Sequence, residues 1–463
     1  MISLTAGQIA QVVGGTVHGS PDVVISAGVE TDSRRIEPGF LFVAKPGEQT
    51  DGHLFVSAAK QAGAVAALVE HQVEEDITQI QVSNVVAALG LLATRVLDQL
   101  RQDGNLTVIG VTGSNGKTST KNMLRAALEQ FGETIAPRES FNNEVGAPIS
   151  MLLAKPSTRF LVVELGAGGV GSIDYLAKMC KPEIGVELKV GLAHAGEFGG
   201  IETTAKIKAE LIAHIQPNGV LIYNSDDAYC QQMAKGFTGR TVSFGTNAAE
   251  YQLTDAELSL DGTIGLVHFS DGATKPLKLH ILGEHQMMNA LATLAVCDVL
   301  GLDRDLVLEA LSEMPLAERW RMQLVERDGV AIINDAYNAS PDSTKAALQT
   351  LAVLGRQTGR RTIAVIGEMA ELGEFSVHEH DSVGRLVVRL NIDQLVVVGA
   401  GAKLVHMGAS QEGSWDGESK FFERIDDALE AVRGMLRSGD IVLVKSSKSA
   451  NLRHLGDALM GVE

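Results

Sequence analysis

The chain has 463 residues, 45% of them apolar and 21% charged, which is enough for about three domains that each bury a core. Its 57 acidic and 39 basic residues give a net charge of −18, and that balance argues against a general nucleic-acid binder. No apolar run reaches the ~18 residues of a membrane span, and no basic segment precedes Arg34, so we expect a cytoplasmic protein without signal peptide or membrane contact. Widely spaced cysteines without metal-ligand spacing indicate buried, reduced thiols at Cys180, Cys230 and Cys297.

Residues 1–83 are predicted to form a small α/β domain. Short apolar runs indicate strands at 40–44 and 64–69, and a run of small residues indicates a helix at 55–62. The segment 84–101 has the apolar periodicity of an amphipathic helix, and we expect it to open a second domain.

The second domain, residues 84–315, is predicted to be a parallel α/β unit. A strand at 106–111, a turn at 113–116 and a helix at 117–131 come first, and more buried strands follow. Alternating polar and apolar positions between 249 and 280 indicate an antiparallel patch, and a helix at 288–300 closes the domain. The further buried strands are predicted at 159–163, 183–187 and 219–223.

The α/β rhythm starts again in residues 316–463, which we expect to form a Rossmann-like domain after a hinge at 315–321. Apolar runs alternate there with helical segments, as in a parallel sheet. These strands are predicted at 330–333, 362–366, 394–398 and 441–444. The fold class is therefore α/β, with three domains.

The most specific local pattern is Thr-Gly-Ser-Asn-Gly-Lys-Thr at 112–118, between a predicted strand and helix, where a phosphate-binding loop must lie. Small residues let backbone N–H groups approach phosphate oxygens, a lysine neutralises their charge, and a hydroxyl can bind Mg²⁺. The match is imperfect because Val111 replaces the first glycine, and an ordinary glycine-rich turn is the alternative. The candidate nucleotide-binding residues are Gly113, Ser114, Asn115, Gly116, Lys117, Thr118 and Ser119.

This loop resembles the shortened P-loop of the Mur ligases, the ATP-dependent amide ligases of peptidoglycan precursor synthesis, and the resemblance spans nearly the whole chain. It implies a UDP-sugar-binding first domain, an ATP-binding second domain and a ligase third domain. In the first domain, Asp-Ser-Arg at 32–34 and Asp-Gly-His at 51–53 match turns that hold the UDP-sugar. The resemblance therefore assigns substrate contacts to Ser33, Arg34, Asp51, Gly52 and His53.

In the second domain the resemblance implies a site beside the γ-phosphate of ATP. Ser-Phe-Asn-Asn at 140–143 resembles a loop at this place, which assigns substrate contacts to Asn142 and Asn143. Glu164 ends a predicted buried strand, and a carboxylate at the C-terminal end of a strand suits a Mg²⁺ ligand. With Thr118 it would hold a first Mg²⁺ ion.

A second Mg²⁺ ion is implied by two further matches. His194 matches a metal-binding histidine of the family, and Lys208 takes the place of a lysine that is carbamylated in related ligases. Lys206 is the nearby alternative for that lysine. Asn289 matches a residue that contacts adenine, and an amide suits that role because it both donates and accepts hydrogen bonds. An N-cap is the alternative role for Asn289.

The third domain carries two longer matches, Asp-Ala-Tyr-Asn-Ala-Ser-Pro-Asp-Ser at 335–343 and Gly-Glu-Met-Ala-Glu-Leu-Gly at 367–373, followed by His380. Both resemble signatures of the branch that adds D-alanyl-D-alanine. Arg321 takes the place of an inter-domain arginine, and 445–448 resembles a Lys-Gly-Ser-Arg loop. The resemblance implies nucleotide contacts at Arg321 and Asp335, substrate contacts at Tyr337, Asn338, Lys445 and Ser447, and catalytic roles for Lys117, His194, Lys208 and Arg321.

The implied reaction joins D-alanyl-D-alanine to UDP-N-acetylmuramoyl-tripeptide through an acyl phosphate formed from ATP, with two Mg²⁺ ions, by a monomeric protein. The identity of the third tripeptide residue, lysine or diaminopimelate, stays open. A sister ligase that adds one amino acid is an alternative, although its frequent Asp-Asn-Pro-Arg motif is absent. A nucleotide-hydrolysing switch is another. Departures from the family pattern occur at Gly168, Lys189, Trp320, Ser340 and Ser446.

Overall fold

The computed structural model describes residues 1–47, 50–102, 104, 106–137, 140–193, 195–315, 319–413 and 415–462. Three main β-sheets follow one another along the chain, and helices flank each of them. This arrangement confirms the predicted three-domain α/β fold class. The predicted boundaries at 83/84 and 315/316 stay predictions, and residues 316–318 of the predicted hinge lie outside the described residues.

The first sheet has five strands and belongs to the N-terminal domain. Thr5 begins the first helix with a capping box, in which its hydroxyl accepts from the Gln8 N–H and the Gln8 side chain accepts from the Thr5 N–H. The elements are β1 (Leu4–Thr5), α1 (Ala6–Val13), β2 (Thr16–His18), β3 (Val24–Ile25), β4 (Gly28–Glu30), β5 (Phe40–Val43), α2 (Val56–Gln61), β6 (Ala66–Val69) and β7 (Thr78–Gln81). The strand order is β2-β7-β6-β5-β4, parallel except for the β2-β7 pair, while β1 pairs separately with β3.

Helix α3 (Val85–Gln102) confirms the helix predicted at 84–101 and lies between the first sheet and the second along the chain. Its buried stripe includes Leu89, Leu92 and Leu97, and each such side chain contributes roughly 1.5–3 kcal/mol of transfer free energy. The same apolar cluster contains residues of the first sheet and of one face of the second. The first two sheets therefore share a continuous core through α3.

The second sheet has nine strands, and its parallel part carries the predicted phosphate loop. Its first elements are β8 (Thr107–Thr112), α4 (Lys117–Leu128), β9 (Glu133–Ile135), α5 (Gly146–Met151), β10 (Thr158–Glu164), α6 (Ser172–Cys180), β11 (Ile184–Glu187), α7 (Ala195–Phe198), α8 (Ile201–Ala209) and β12 (Val220–Asn224). The remaining elements are α9 (Ala228–Gly236), β13 (Arg240–Gly245), β14 (Tyr251–Ser259), β15 (Gly262–His268), β16 (Thr274–Leu279), α10 (Glu284–Val299) and α11 (Arg304–Glu313).

The strand order of this sheet is β16-β15-β14-β13-β12-β11-β8-β10-β9. The strands β14, β15 and β16 form the antiparallel patch that the alternation at 249–280 predicts. The predicted strands at 106–111, 159–163, 183–187 and 219–223 are confirmed as β8, β10, β11 and β12. Helix α10 begins four residues before the predicted position, because Gly283 adopts φ +107° and turns the chain directly into the helix.

The third sheet has six strands in the order β17-β18-β22-β19-β20-β21, parallel except for the antiparallel β17-β18 edge pair. Its elements are β17 (Gln323–Arg327), β18 (Val330–Asn334), α12 (Pro341–Thr358), β19 (Thr362–Ile366), α13 (Ser376–Arg389), β20 (Gln394–Val398), α14 (Lys403–Gln411), β21 (Glu418–Phe422), α15 (Ile425–Met435), β22 (Ile441–Lys445) and α16 (Arg453–Met460). The four predicted strands are confirmed as β18, β19, β20 and β22.

The predicted state of the cysteines is also confirmed. Cys180, Cys230 and Cys297 are buried and form no disulfide. Burial raises the pKa of the Cys180 thiol to about 12, so this side chain behaves as a small apolar group at neutral pH.

Among the described residues, no helix combines the length and apolarity needed to cross a bilayer.

Candidate active site

The phosphate loop runs from the end of β8 into α4, as predicted. Gly116 adopts φ +87°, and a side chain there would collide with the Asn289 amide. Gly116 provides no side-chain cap, so the first N–H groups of α4 are left for an anion. The Lys117 ammonium folds back over the loop and donates to the Gly113 carbonyl at 2.7 Å. Desolvation lowers the pKa of Lys117, against the opposing effect of the Glu164 carboxylate.

The other loop residues contact the elements around them. The Ser114 N–H donates to the Lys189 carbonyl at 2.7 Å, and Asn115 Oδ1 accepts from the Ser340 hydroxyl at 3.1 Å. Ser119 lies half-buried on the first turn of α4. The loop is therefore fixed by both the second and the third domain.

Glu164 lies where β10 ends, beside the hydroxyl at the start of α4. The Thr118 hydroxyl donates to Glu164 Oε1 at 3.3 Å, and the Asn142 amide donates to the same oxygen at 2.8 Å. Glu164 Oε2 is buried and has no hydrogen-bond partner among the described residues. A buried carboxylate oxygen without a partner is costly unless a ligand completes it, and a hard divalent cation is such a ligand. This pair of residues therefore fits a Mg²⁺ ion.

Lys208 is buried on α8, with an exposed fraction of only 2%. Desolvation, together with the neighbouring Lys117 ammonium, lowers the pKa of Lys208 to about 7. Its acidic neighbour Glu187 ends β11 and is fully buried, and neither of its carboxylate oxygens has a partner among the described residues. Burial raises the pKa of Glu187 well above its ordinary value, while the Lys208 charge opposes that shift.

The structure separates the two lysines that the sequence left as alternatives. Lys208 lines a cavity together with Lys117, Ser114 and Asn142, whereas Lys206 points to the exposed side of α8. Position therefore favours Lys208 for the metal-binding role. His194, the other predicted ligand of the second ion, lies outside the described residues.

Arg321 of the third domain reaches into the phosphate site. Its guanidinium donates to the Thr118 hydroxyl at 3.3 Å and to the Ser140 hydroxyl at 3.5 Å. It also stacks on the Tyr337 ring, 4.0 Å from the ring centroid, and the Tyr337 hydroxyl lies 3.2 Å from Ser140 Oγ. Trp320, which stands where the family has glycine, adopts φ +63°, a left-handed conformation that favours glycine.

The remaining third-domain residues hold one another in place. Lys445 is 3% exposed, and its ammonium lies 2.7 Å from Asp335 Oδ2 and donates to the Asn338 carbonyl at 2.6 Å. The Asn338 side chain is exposed. The Ser447 hydroxyl donates to the Glu368 carbonyl at 2.6 Å, so the two loops after β19 and β22 are joined.

In the described part of the chain, a cavity lies on each side of the phosphate loop. The larger, about 490 Å³, lies between the second and third domains and is lined by Asn289 and Asn115 on one side and by α12 on the other. The Asn289 amide donates to Gln286 Oε1 at 3.1 Å, so its carbonyl oxygen faces Gly116. The smaller cavity, about 240 Å³, lies on the other side of Lys117 and is lined also by Asn143 and Tyr175. The Asn143 side-chain oxygen caps the backbone N–H of Gly146 at 2.8 Å.

The two predicted turns of the first domain flank α2 as one-turn helices, Ser33–Arg35 and Gly52–Phe55. The exposed Arg34 guanidinium binds Asp32 at 2.7 Å, and that side-chain hydrogen bond lowers the pKa of Asp32 to about 2. His53 is buried, its Nδ1 lies 2.6 Å from Asp51 Oδ1, and its Nε2 accepts from the Glu70 N–H at 2.9 Å. No hydrogen bond among the described residues joins these turns to the phosphate loop.

Three residues at the site escaped the sequence analysis. The sequence indicates Glu187 only as the end of a predicted strand, and Ser140 and Asp342 only as members of the 140–143 and 335–343 motifs, without roles of their own. No local pattern marks these three side chains individually, because what makes them notable is contact with residues that are distant in the chain. The Lys189 departure was the one available hint, since Lys189 pairs with Asp342.

Comparison with known families and proteins gives a consistent result. Residues 26–96, 111–297 and 320–448 match the Mur ligase family catalytic domain, the Mur ligase middle domain and the Mur ligase glutamate ligase domain, respectively. A UDP-N-acetylmuramoyl-tripeptide–D-alanyl-D-alanine ligase from Mycobacterium tuberculosis is 41% identical, covering 99% of this chain and 98% of its own.

Solved structures agree with this match. A crystal structure of MurF from Acinetobacter baumannii has a TM-score of 0.89 at 31% identity and covers 99% of both chains. A MurF ligase from Thermotoga maritima, solved in complex with ADP, has a TM-score of 0.82 at 27% identity and covers 94% of this chain and 97% of its own. The resemblance that the motifs indicate is confirmed, and the chain belongs to the Mur ligase family.

Proposed function

We propose that the protein is an ATP-dependent amide ligase that adds D-alanyl-D-alanine to UDP-N-acetylmuramoyl-tripeptide. One observation supports this most directly: Lys117, the incompletely paired Glu164 and the third-domain Arg321 meet in one cleft between two domains. Such a cleft suits phosphoryl transfer between two bound substrates, with charge neutralised from several sides. The relatives from M. tuberculosis and A. baumannii favour the dipeptide-adding branch over the sister ligases.

ATP binding is assigned to the phosphate loop and the larger cavity. The N–H groups at the start of α4 and the Lys117 ammonium face the phosphates, while Asn289 lies where it can hydrogen-bond the base. Asp335 and Arg321 complete the nucleotide site from the third domain. The ADP complex of the T. maritima MurF ligase supports this assignment.

The acyl donor is assigned to the smaller cavity, where the Lys117 ammonium offers positive charge to its carboxylate. That carboxylate oxygen attacks the γ-phosphorus of ATP, and the bond to the ADP oxygen breaks. The resulting acyl phosphate is attacked by the amine of D-alanyl-D-alanine, which loses a proton as phosphate leaves. Tyr337, Asn338, Lys445 and Ser447 are assigned to the substrates on the third-domain side.

Thr118 and Glu164 would hold one Mg²⁺ ion, and His194 with a carbamylated Lys208 the second. Bound magnesium neutralises the charge that phosphates and carboxylate bring together. Carbamylation requires a neutral amine, and a buried lysine whose pKa lies near 7 provides one at physiological pH. Carbamylation turns the Lys208 amine and CO₂ into an anionic carbamate and releases a proton.

The first-domain turns are assigned to the UDP-sugar, with Ser33, Arg34, Asp51 and Gly52 at the surface and His53 fixing the second turn from inside. We propose that the protein acts as a monomer in the cytoplasm. All the site residues named above come from one chain, and its three unpaired thiols suit a reducing compartment.

The deciding experiment measures phosphate release from Mg-ATP and UDP-N-acetylmuramoyl-tripeptide with different acceptors. Tripeptides ending in lysine and in diaminopimelate are compared, each with D-alanyl-D-alanine and with single amino acids. We expect release to require the dipeptide. Release with one amino acid and a shorter UDP-peptide would indicate a sister ligase, and release that ignores both substrates would overturn the proposal.

A further inference from the structure

The loop that follows β11, residues 189–192, is hydrogen-bonded to the phosphate loop through a single serine. The Ser114 N–H donates to the Lys189 carbonyl at 2.7 Å. The Ser114 hydroxyl accepts from the Gly191 N–H at 2.9 Å and lies 3.2 Å from the Gly191 carbonyl, to which it donates. Ser114 is only 8% exposed, so a displacement of the 189–192 loop also displaces Ser114.

The opposite side of the 189–192 loop is held by the third domain. Asp342 lies in the first turn of α12, where the helix dipole favours a negative charge. Its Oδ2 accepts from the Leu192 N–H at 3.2 Å, and its Oδ1 lies 3.5 Å from the Lys189 ammonium. A side chain at Gly191 would collide with Asp342 Oδ2, so the carboxylate approaches the loop backbone closely.

A second contact from the start of the same helix reaches the phosphate loop directly. The Ser340 hydroxyl, which caps α12, donates to Asn115 Oδ1 at 3.1 Å. Ser340 is 4% exposed. The first turn of α12 therefore contacts both the phosphate loop and the 189–192 loop that supports it.

We propose that Asp342 is a positioning residue that couples the approach of the third domain to the shape of the phosphate loop. When α12 is seated, Asp342 holds the 189–192 loop, and through Ser114 this loop holds the phosphate loop in the form that faces ATP. When α12 moves away, both contacts are lost. Lys189 strengthens the contact by placing a positive charge against the carboxylate. The inference rests on the proposed ligase function, because that function requires the two domains to meet around ATP.

The test compares three variants. Asp342→Ala removes the acceptor and the charge, Asp342→Asn keeps an acceptor for the Leu192 N–H, and Lys189→Met removes the ammonium alone. We expect Asp342→Ala to lower kcat ~30-fold with little change in KM for ATP, since misplacing a phosphate-binding group acts on the transition state. Asp342→Asn should stay within ~3-fold of wild type, and Lys189→Met should lose ~2-fold, as for a partly exposed ion pair.

Two further measurements make the result decisive. Asp305→Ala, which removes the ion pair of Asp305 with Lys275 outside the cleft, is the matched control and should leave kcat unchanged. Small-angle X-ray scattering of the full chain with a non-hydrolysable Mg-ATP analogue should show a smaller radius of gyration for wild type and Asp342→Asn than for Asp342→Ala.

The outcomes distinguish a failure of the positioning role of Asp342 from a failure of the proposed function. Unchanged kcat and scattering in Asp342→Ala, or an equal loss in the Ala and Asn variants together with raised KM and lowered melting temperature, would overturn the positioning role. If wild type lacks dipeptide-dependent phosphate release, the proposed function fails. In that case the scattering comparison alone decides whether Asp342 favours the arrangement in which α12 is seated on the 189–192 loop.

Discussion

The phosphate site and the first-domain turns use similar polar residues in opposite ways. At the phosphate site, Glu164 Oε2 and both carboxylate oxygens of Glu187 are buried without partners among the described residues. In the turns, Arg34 and His53 are already bound to carboxylates of their own segments, Asp32 and Asp51. Buried polar groups without a protein partner mark where a ligand is needed, whereas groups that are hydrogen-bonded within their own segment mark a surface of fixed shape.

This difference predicts different consequences of mutation. Removing a charge from the phosphate site should strongly lower either the turnover rate or the free energy of unfolding. Removing one from the turns should affect either substrate affinity or the local fold, depending on whether the side chain is exposed or buried. The following substitutions test that distinction.

The largest effect is expected for Lys117→Ala. Loss of the ammonium that covers the phosphate loop should lower turnover by ~10³-fold, because preorganised charge at a phosphoryl-transfer site acts on the transition state. The melting temperature should stay within a few degrees of wild type. Steady-state phosphate release and thermal unfolding measure the two quantities, with Lys206→Ala as the matched lysine control. Near-normal turnover would contradict the role of the loop.

The next effect concerns the Glu187 and Lys208 pair. At pH 6 the Lys208 amine is protonated and not carbamylated, so Lys208→Met leaves the buried Glu187 without its positive neighbour. We expect the free energy of unfolding to fall by about 3 kcal/mol at that pH. Adding Glu187→Leu should restore most of that loss, since an apolar pair no longer buries a lone charge. Urea unfolding of both single variants and the double variant measures the coupling. Additive losses would show that the two residues do not interact.

Lys208 also gives a pH prediction. Its pKa is lowered from 10.5 to about 7, mainly by desolvation, so its amine is protonated and unreactive below pH 7 and increasingly neutral above it. Acetylation by a trace of acetic anhydride, a reagent that does not itself titrate, should therefore have a midpoint near pH 7 for Lys208 when it is mapped by peptide mass spectrometry. The exposed Lys206 on the same helix serves as the internal reference. Equal profiles for both lysines would contradict the desolvated site.

The same contrast separates the features that local sequence patterns predict from those that they do not. The strands at 106–111 and 362–366, the phosphate loop and the third-domain signatures were predictable, because each is a continuous pattern of local spacing. Glu187 beside Lys208 and Asp342 against the 189–192 loop were not, because each contact joins residues distant in the chain. Arg321 was expected at the nucleotide site from the family resemblance alone, since no local pattern joins it to Thr118. Such contacts are decided by how sheets and domains pack, which no local pattern records.

The smallest effects are expected in the first domain, where they separate two residues of similar motif. Arg34→Ala removes an exposed side chain whose hydrogen bonds among the described residues go to Asp32, so the melting temperature should stay close to that of wild type. KM for the UDP-substrate should rise ~10-fold, as expected for the loss of a charged contact to the substrate. The kcat should be unchanged, since the uniform binding of a distant substrate group does not change the chemical step.

His53→Ala should show the reverse pattern. Its ring is buried and hydrogen-bonded at both nitrogens, to Asp51 and to the Glu70 N–H, so its loss should lower the free energy of unfolding by about 2 kcal/mol. KM for the UDP-substrate should change only because the Asp51 turn is displaced. His53→Gln, which retains polar groups, should recover part of the lost free energy of unfolding. Thermal unfolding beside steady-state kinetics distinguishes the two residues. If His53→Ala instead raised KM without lowering the free energy of unfolding, the buried ring would contact the substrate. Hydrogen bonding within the segment would then no longer distinguish this turn from the phosphate site.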